Sequence, residues 1–107
     1  MTLKITQGDA YPIPFLLKQA GQYLTPDMIQ DVEVSVGSTV LKKLSDGEVM
    51  YQEDTWYFYL SQEETFSLDG NMELEIRVRY KDQPFPVVLS KRAGFVKMDE
   101  SNSKEVL

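Results

Sequence analysis

A chain of 107 residues, 42% apolar and 26% charged, is long enough to bury one core and too apolar to be disordered throughout. Its net charge of −6, from 11 basic against 17 acidic residues, repels a phosphate backbone and argues against nucleic acid as a partner. Cysteine and histidine are both absent, which removes disulfides, the thiolate nucleophile, the usual general base and the preferred zinc ligands together.

The opening Met1-Thr2-Leu3-Lys4-Ile5-Thr6 has neither the apolar stretch nor the small-residue cleavage site of a signal peptide. Apolar runs such as Phe15-Leu16-Leu17 fall far short of the ~20 residues a membrane helix needs, so a soluble domain with no membrane partner is expected. Tyr11, Ile13, Phe15 and Leu17 alternate with polar or proline positions. Pro12 and Pro14 cannot donate to a ladder, which places this strand at a sheet edge or beside a bulge. Thr25-Pro26-Asp27 carries the signals of one helical turn: a capping residue, proline at the first helical position and an acid next. Val32, Val34 and Val36 mark a strand ended by Gly37, with Val40-Leu41 pairing back across the turn. Asp46-Gly47 turns the chain into a short strand around Val49 and Tyr51.

In Thr55 to Leu60, Trp56, Phe58 and Leu60 share one face and Thr55, Tyr57 and Tyr59 the other, a pattern rich in strand-forming side chains. Ser61 and Glu64 stand at capping-box spacing, so a helical turn is predicted to carry the chain from one sheet to the other. The clearest alternation is Met72, Leu74, Ile76, Val78 and Tyr80 against Glu73, Glu75, Arg77 and Arg79, which predicts a long strand with one buried face. After a turn at Lys81-Asp82-Gln83-Pro84, Phe85, Val87 and Leu89 are expected to return antiparallel. A weaker alternation follows, with Phe95 and Lys97 against Val96 and Met98. Strands at this spacing predict an all-β fold, an immunoglobulin-like β-sandwich of about seven antiparallel strands with one or two short helical turns. The expected domain spans residues 1–98, followed by a polar C-terminal tail over 99–107.

Constellations that carry chemistry are few. Ser90-Lys91 and Ser103-Lys104 are sequence neighbours whose side chains diverge, which is unlike a serine with a lysine base. Glu73 and Glu75 share a face with Arg77 and Arg79, the pattern of a solvated, charge-laced surface rather than of two carboxylates across a cleft. Asp46-Gly47-Glu48 and Asp69-Gly70-Asn71 supply only part of a calcium loop and read as turns. The expectation is therefore a protein that is not an enzyme, with no catalytic residue, metal site or cofactor.

The aromatic residues say more. Trp56 and Phe58 belong to the core and Tyr57 and Tyr59 point outward. Outward tyrosines can simply pack on arginine stems; alternatively, a rigid apolar body with a polar tip suits a protein contact. Val106 and Leu107, at the end of the tail, are the other candidate contact residues, because a polar segment with two terminal apolar side chains is either frayed or docked on a neighbour.

The chain resembles small virion proteins of phages and prophages of Gram-positive bacteria, the immunoglobulin-like domains associated with tail and baseplate. The resemblance runs through Lys4-Ile5-Thr6-Gln7-Gly8-Asp9, then Leu60-Ser61-Gln62-Glu63-Glu64-Thr65-Phe66 ahead of Glu73-Leu74-Glu75-Ile76-Arg77-Val78-Arg79, and the ending Ser103-Lys104-Glu105-Val106-Leu107. It implies a non-enzymatic structural or assembly part, made in the bacterial cytoplasm and carried by the virion. Its partners would be other virion proteins or copies of itself. A free-standing binding module for a peptide or carbohydrate is the alternative; a concave site flanked by Tyr57 and Tyr59 would mark the module and a flat face the assembly part.

Overall fold

The computed structural model describes residues 2–107. The fold is all-β: the helical residues are three in a 3-10 turn, Pro26–Met28, and six in α1, Gln62–Ser67. The strands in chain order are β1 (Thr2–Thr6), β2 (Tyr11–Phe15), β3 (Lys18–Gln19), β4 (Gln22–Tyr23), β5 (Ile29–Val36), β6 (Val40–Lys43), β7 (Val49–Gln52), β8 (Thr55–Leu60), β9 (Gly70–Tyr80) and β10 (Val88–Asp99). They form a five-stranded sheet ordered β1-β10-β9-β5-β6, a three-stranded sheet ordered β2-β8-β7, and the small ribbon β3-β4.

Period-two alternation decides which faces are buried. In β5 and β9 the buried positions are Ile29, Val32, Val34 and Val36 and Leu74, Ile76 and Val78. In β8 they are Trp56, Phe58 and Leu60. Both sheets contribute to one hydrophobic cluster, closed at its ends by Ile5, Leu24, Leu68 and Met98. Phe15 lies tilted against both Trp56 and Phe58, with ring centroids 6.3 and 6.0 Å apart, and Tyr51 meets the Trp56 ring edge-on at 5.0 Å. β2 is the edge strand that its prolines predict. Its five residues pair with β8, so Tyr11, Ile13 and Phe15 carry the ladder bonds while Pro12 and Pro14 face the open edge, where no donor is needed.

Three features depart from the sequence expectation. Ten strands form, not about seven, and three of the additional pieces are two-residue or edge segments. In the β3-β4 ribbon, Ala20 and Gly21 both take positive φ, the geometry of a tight hairpin, and no apolar alternation betrays it. Next, β1 lies parallel to β10, because the chain leaves the large sheet at Gln7 and crosses to β2 in the small one instead of turning back in a hairpin. Finally, the two segments expected after Tyr80 are one strand of 12 residues. It starts at Val88, and Phe85 lies exposed in the preceding loop, which the Tyr80 N–H closes on the Val87 carbonyl at 3.0 Å. A register shift between Arg92 and Gly94 changes the phase of its alternation midway, which is why the strand reads as two. Beyond Asp99, residues 100–107 form no strand or helix. The molecule is elongated, 51 × 22 × 22 Å along its principal axes. No helix among the described residues is long and apolar enough to cross a membrane.

Candidate functional site

The two sheets differ sharply on their outer faces. On the five-stranded sheet, Glu33 of β5 lies opposite Arg77 of β9, Ser35 opposite Glu75 and Asp31 opposite Arg79. Arg77 pairs with Glu33 at 3.4 Å, and Arg92 of β10 pairs with Glu73 at 3.1 Å. Glu73 and Glu75 are thus part of an exposed lattice of both signs, each with cations around it, and do not face a second carboxylate across a cleft.

On the three-stranded sheet the outward positions are Pro12 and Pro14 of β2, Thr55, Tyr57 and Tyr59 of β8, and Met50 and Gln52 of β7. None carries a charge. The register sets Tyr59 beside Pro12, and Tyr57 between Pro14 and Met50. Tyr57 is half-buried by these neighbours, and Tyr59 is 42% exposed. The arginine stems that would give outward tyrosines an ordinary packing role lie on the other sheet. Tyr11, in the opposite phase of β2, has its phenol pushed up by desolvation and then by the Asp9 carboxylate. In a chain that is 26% charged, an uncharged sheet face of tyrosine, proline and methionine is the composition of an interface core.

Two groups of side chains hold this face in place. Trp56 fixes β8 from below, its indole N–H donating to the Leu24 carbonyl at 2.9 Å. At the end of β8, α1 opens with the predicted capping box: the Glu64 N–H donates to Ser61 Oγ at 3.2 Å and the Ser61 N–H to Glu64 Oε1 at 2.9 Å. The helix then clamps the β1–β2 corner. The Gly8 N–H donates to Thr65 Oγ1, that hydroxyl donates to the Asp9 carbonyl, and the Gln62 amide donates to the Gly8 carbonyl, each at 2.9 Å. Gly8 has φ of 90°, and a β-carbon there would stand 2.9 Å from the Phe66 ring.

Lys42 is the residue that sequence reasoning missed. It occupies an inward position of β6, is 8% exposed, and extends its ammonium to Glu64 at 2.7 Å and Glu48 at 3.5 Å. Partial burial pushes the Glu64 carboxyl up, but the Lys42 hydrogen bond, the Ser61 N–H, the Lys42 charge and the Ser61 hydroxyl outweigh it, leaving the carboxyl below its ordinary value. This group links β6 of the large sheet to α1, which follows β8 of the small one. Asp46-Gly47 lies in a turn, as expected, whereas Gly70 is already the first residue of β9; both glycines take positive φ. Among the described residues, no three acidic side chains converge as metal ligands would.

One hollow of about 250 Å³ lies on the charged outer face, between Asp31, Glu33, Arg77 and Arg79, and larger ones lie at the margins of the sheets. One of about 440 Å³ separates β2 from β10, and another of about 390 Å³ lies between Tyr23, Tyr51 and Trp56; neither is lined by Tyr57 or Tyr59. No family model, curated protein or solved structure matches the chain. The other predicted contact residues, Val106 and Leu107, are exposed. The tail is held by a hydrogen bond from Lys104 Nζ to Gln7 Oε1 at 2.5 Å and another from the Leu107 N–H to Gln62 Oε1 at 3.0 Å.

Proposed function

We propose that this protein is a non-enzymatic structural or assembly part of a phage or prophage particle, associated with its tail or baseplate, that works through protein–protein contacts. The observation that carries the reading is the uncharged face built by Pro12, Pro14, Met50, Tyr57 and Tyr59 on a protein whose other sheet face is densely charged. Burying that face removes apolar area from water without stranding an ion, which the opposite face does not allow. The face is a sheet surface rather than a hollow, which favours a broad protein contact over a peptide or carbohydrate pocket.

The fold is read as an immunoglobulin-like sandwich. In support, the order β2-β8-β7 opposed to β10-β9-β5-β6 corresponds to the B-E-D and G-F-C-C′ sheets of that topology, with β3-β4 inserted between the second and third strands. The chain lacks the inter-sheet disulfide, and its tryptophan stands on β8 rather than on the third strand of the topology, so the core has its own solution. The protein would be made in the bacterial cytoplasm and carried by the virion. Mass spectrometry of particles purified after prophage induction tests this directly: the chain is expected at fixed stoichiometry with tail proteins, and its absence from intact particles overturns the reading.

A further inference from the structure

The edge of the large sheet is only half covered. β1 pairs with β10 from Phe95 to Asp99 and stops there, so residues 88–93 of β10 have β9 on one side and an open backbone edge on the other. The register shift between Arg92 and Gly94 falls where β1 begins, and such irregularities bend a strand and re-aim its side chains. Beneath the open edge runs a trough of about 440 Å³. Pro14, Phe15 and Leu16 form one wall, and Lys91, Arg92 and Ala93 the other. Leu16 is 69% exposed there.

Charged residues on a strand edge ordinarily serve to repel other strands, and Lys91 and Arg92 have that simple reading. It does not account for the apolar trough below them. The two walls are also unequal: β2 presents Pro12 and Pro14, which lack N–H groups, whereas residues 88–93 include no proline, so those of their backbone groups that point away from β9 can both donate and accept. An added strand would therefore pair with β10 and cover the trough.

We propose that residues 100–107 of a second copy of this chain dock on that edge, placing Val106 and Leu107 in the trough and Glu105 near Lys91 and Arg92. This adds a second contact to the assembly reading above. Charge complementarity selects the occupant. The protein is acidic overall, yet the rim is basic, and among the described residues Lys91 has no ion pair while Arg92 has only exposed Glu73. Residues 100–107 hold two acids, Glu100 and Glu105, against one lysine, and carry the exposed apolar side chains of Val106 and Leu107. Pairing β10 with β10 of another copy would instead bring both sets of Lys91 and Arg92 together across the junction, which is unfavourable. The chain's own tail is poorly placed. To reach Ala93 from Asp99 it must retrace about 20 Å along an edge that β1 already fills, at ~3.3 Å per residue, leaving about two residues to dock. Its release is easy, since two exposed hydrogen bonds hold it.

Complementation between two variants tests the proposal. One is truncated after Asp99 and keeps the trough; the other carries Lys91→Glu and Arg92→Glu and keeps the tail. By sedimentation at matched concentration, the intact chain is expected above monomer mass, and each variant at least tenfold weaker in self-association. An equimolar mixture of the two should form a one-to-one complex. A mixture that stays monomeric, or a truncated chain that associates like the parent, overturns the proposal. Should either variant not fold, a synthetic peptide of residues 99–107 is titrated onto the intact chain: dissociation supports the contact and an unchanged mass overturns it. The Tyr57→Ser, Tyr59→Ser protein in the same series separates the two readings. Association lost there but kept on truncation leaves the tyrosine face standing and removes the tail contact.

Discussion

The Trp56 indole N–H reaches the Leu24 carbonyl at 2.9 Å through the interior, 32 residues away in the chain, and this single bond ties the central strand of the small sheet to the segment leaving the β3-β4 ribbon. Trp56 is 3% exposed and is the only tryptophan, so its emission reports on this joint alone. The folded protein is expected to emit well to the blue of free tryptophan. Trp56→Phe keeps most of the packing but leaves the Leu24 carbonyl without its donor, at a cost of about 1–3 kcal/mol. Trp56→Ala adds a cavity and should cost about 3–5 kcal/mol. Urea unfolding of the three proteins checks the order.

Glu64 gives the pH dependence a definite sign. Its folded carboxyl lies below the ordinary value, so the stabilisation it contributes is complete above the unfolded carboxylate pKa, about 4.3, and is lost as pH falls through the lower folded one. Glu64→Gln is expected to melt below the parent at neutral pH. The gap should narrow steadily below about pH 4, as the parent's own carboxylate takes up its proton. A gap of constant size from neutral to acid pH would mean that the ion pair with Lys42 contributes nothing.

Gly8 and Gly21 both have positive φ, of 90° and 78°, but different surroundings. A β-carbon on Gly8 would meet the Phe66 ring, whereas nothing lies within 4 Å of one on Gly21. Gly8→Ala therefore carries both backbone strain and a collision, and should cost more than the ~1–3 kcal/mol of strain that Gly21→Ala bears alone. Equal melting temperatures for the two variants would place the α1 clamp outside the cooperative fold.

Replacing Tyr57 and Tyr59 together by serine should change stability by less than about 1–2 kcal/mol, since both side chains point away from the core, while weakening assembly by about 2 kcal/mol or more if they sit at the centre of a contact. Thermal melts and sedimentation of the same samples separate the two effects.

Much of this was legible in the residues. The alternations of residues 72–80 and 55–60 place the buried faces correctly, because a strand half in water must obey period two. The capping box of Ser61 and Glu64 is local and so is readable. Lys42 is not: within Val40-Leu41-Lys42-Lys43 it reads as a solvated position, and what permits its burial is Glu64, 22 residues further on. The uncharged face had the same obstacle. Tyr57 and Tyr59 were visible as outward residues, but their joining with Pro12, Pro14 and Met50 depends on the pairing of three separate strands.

The parallel pairing of β1 with β10 has a further consequence, for the order of events in folding. Thr2 and Thr6 find their partners at Phe95 and Asp99, so β1 must wait for β10 before its ladder can close. Loops of that length make non-local sheets slow to form, on a scale of milliseconds to seconds. Until then Ile5 and the inner face of β9 stay open to solvent and to other nascent chains. Completion of this domain thus waits on β10, which carries the proposed docking edge and whose arrival ends that exposed interval.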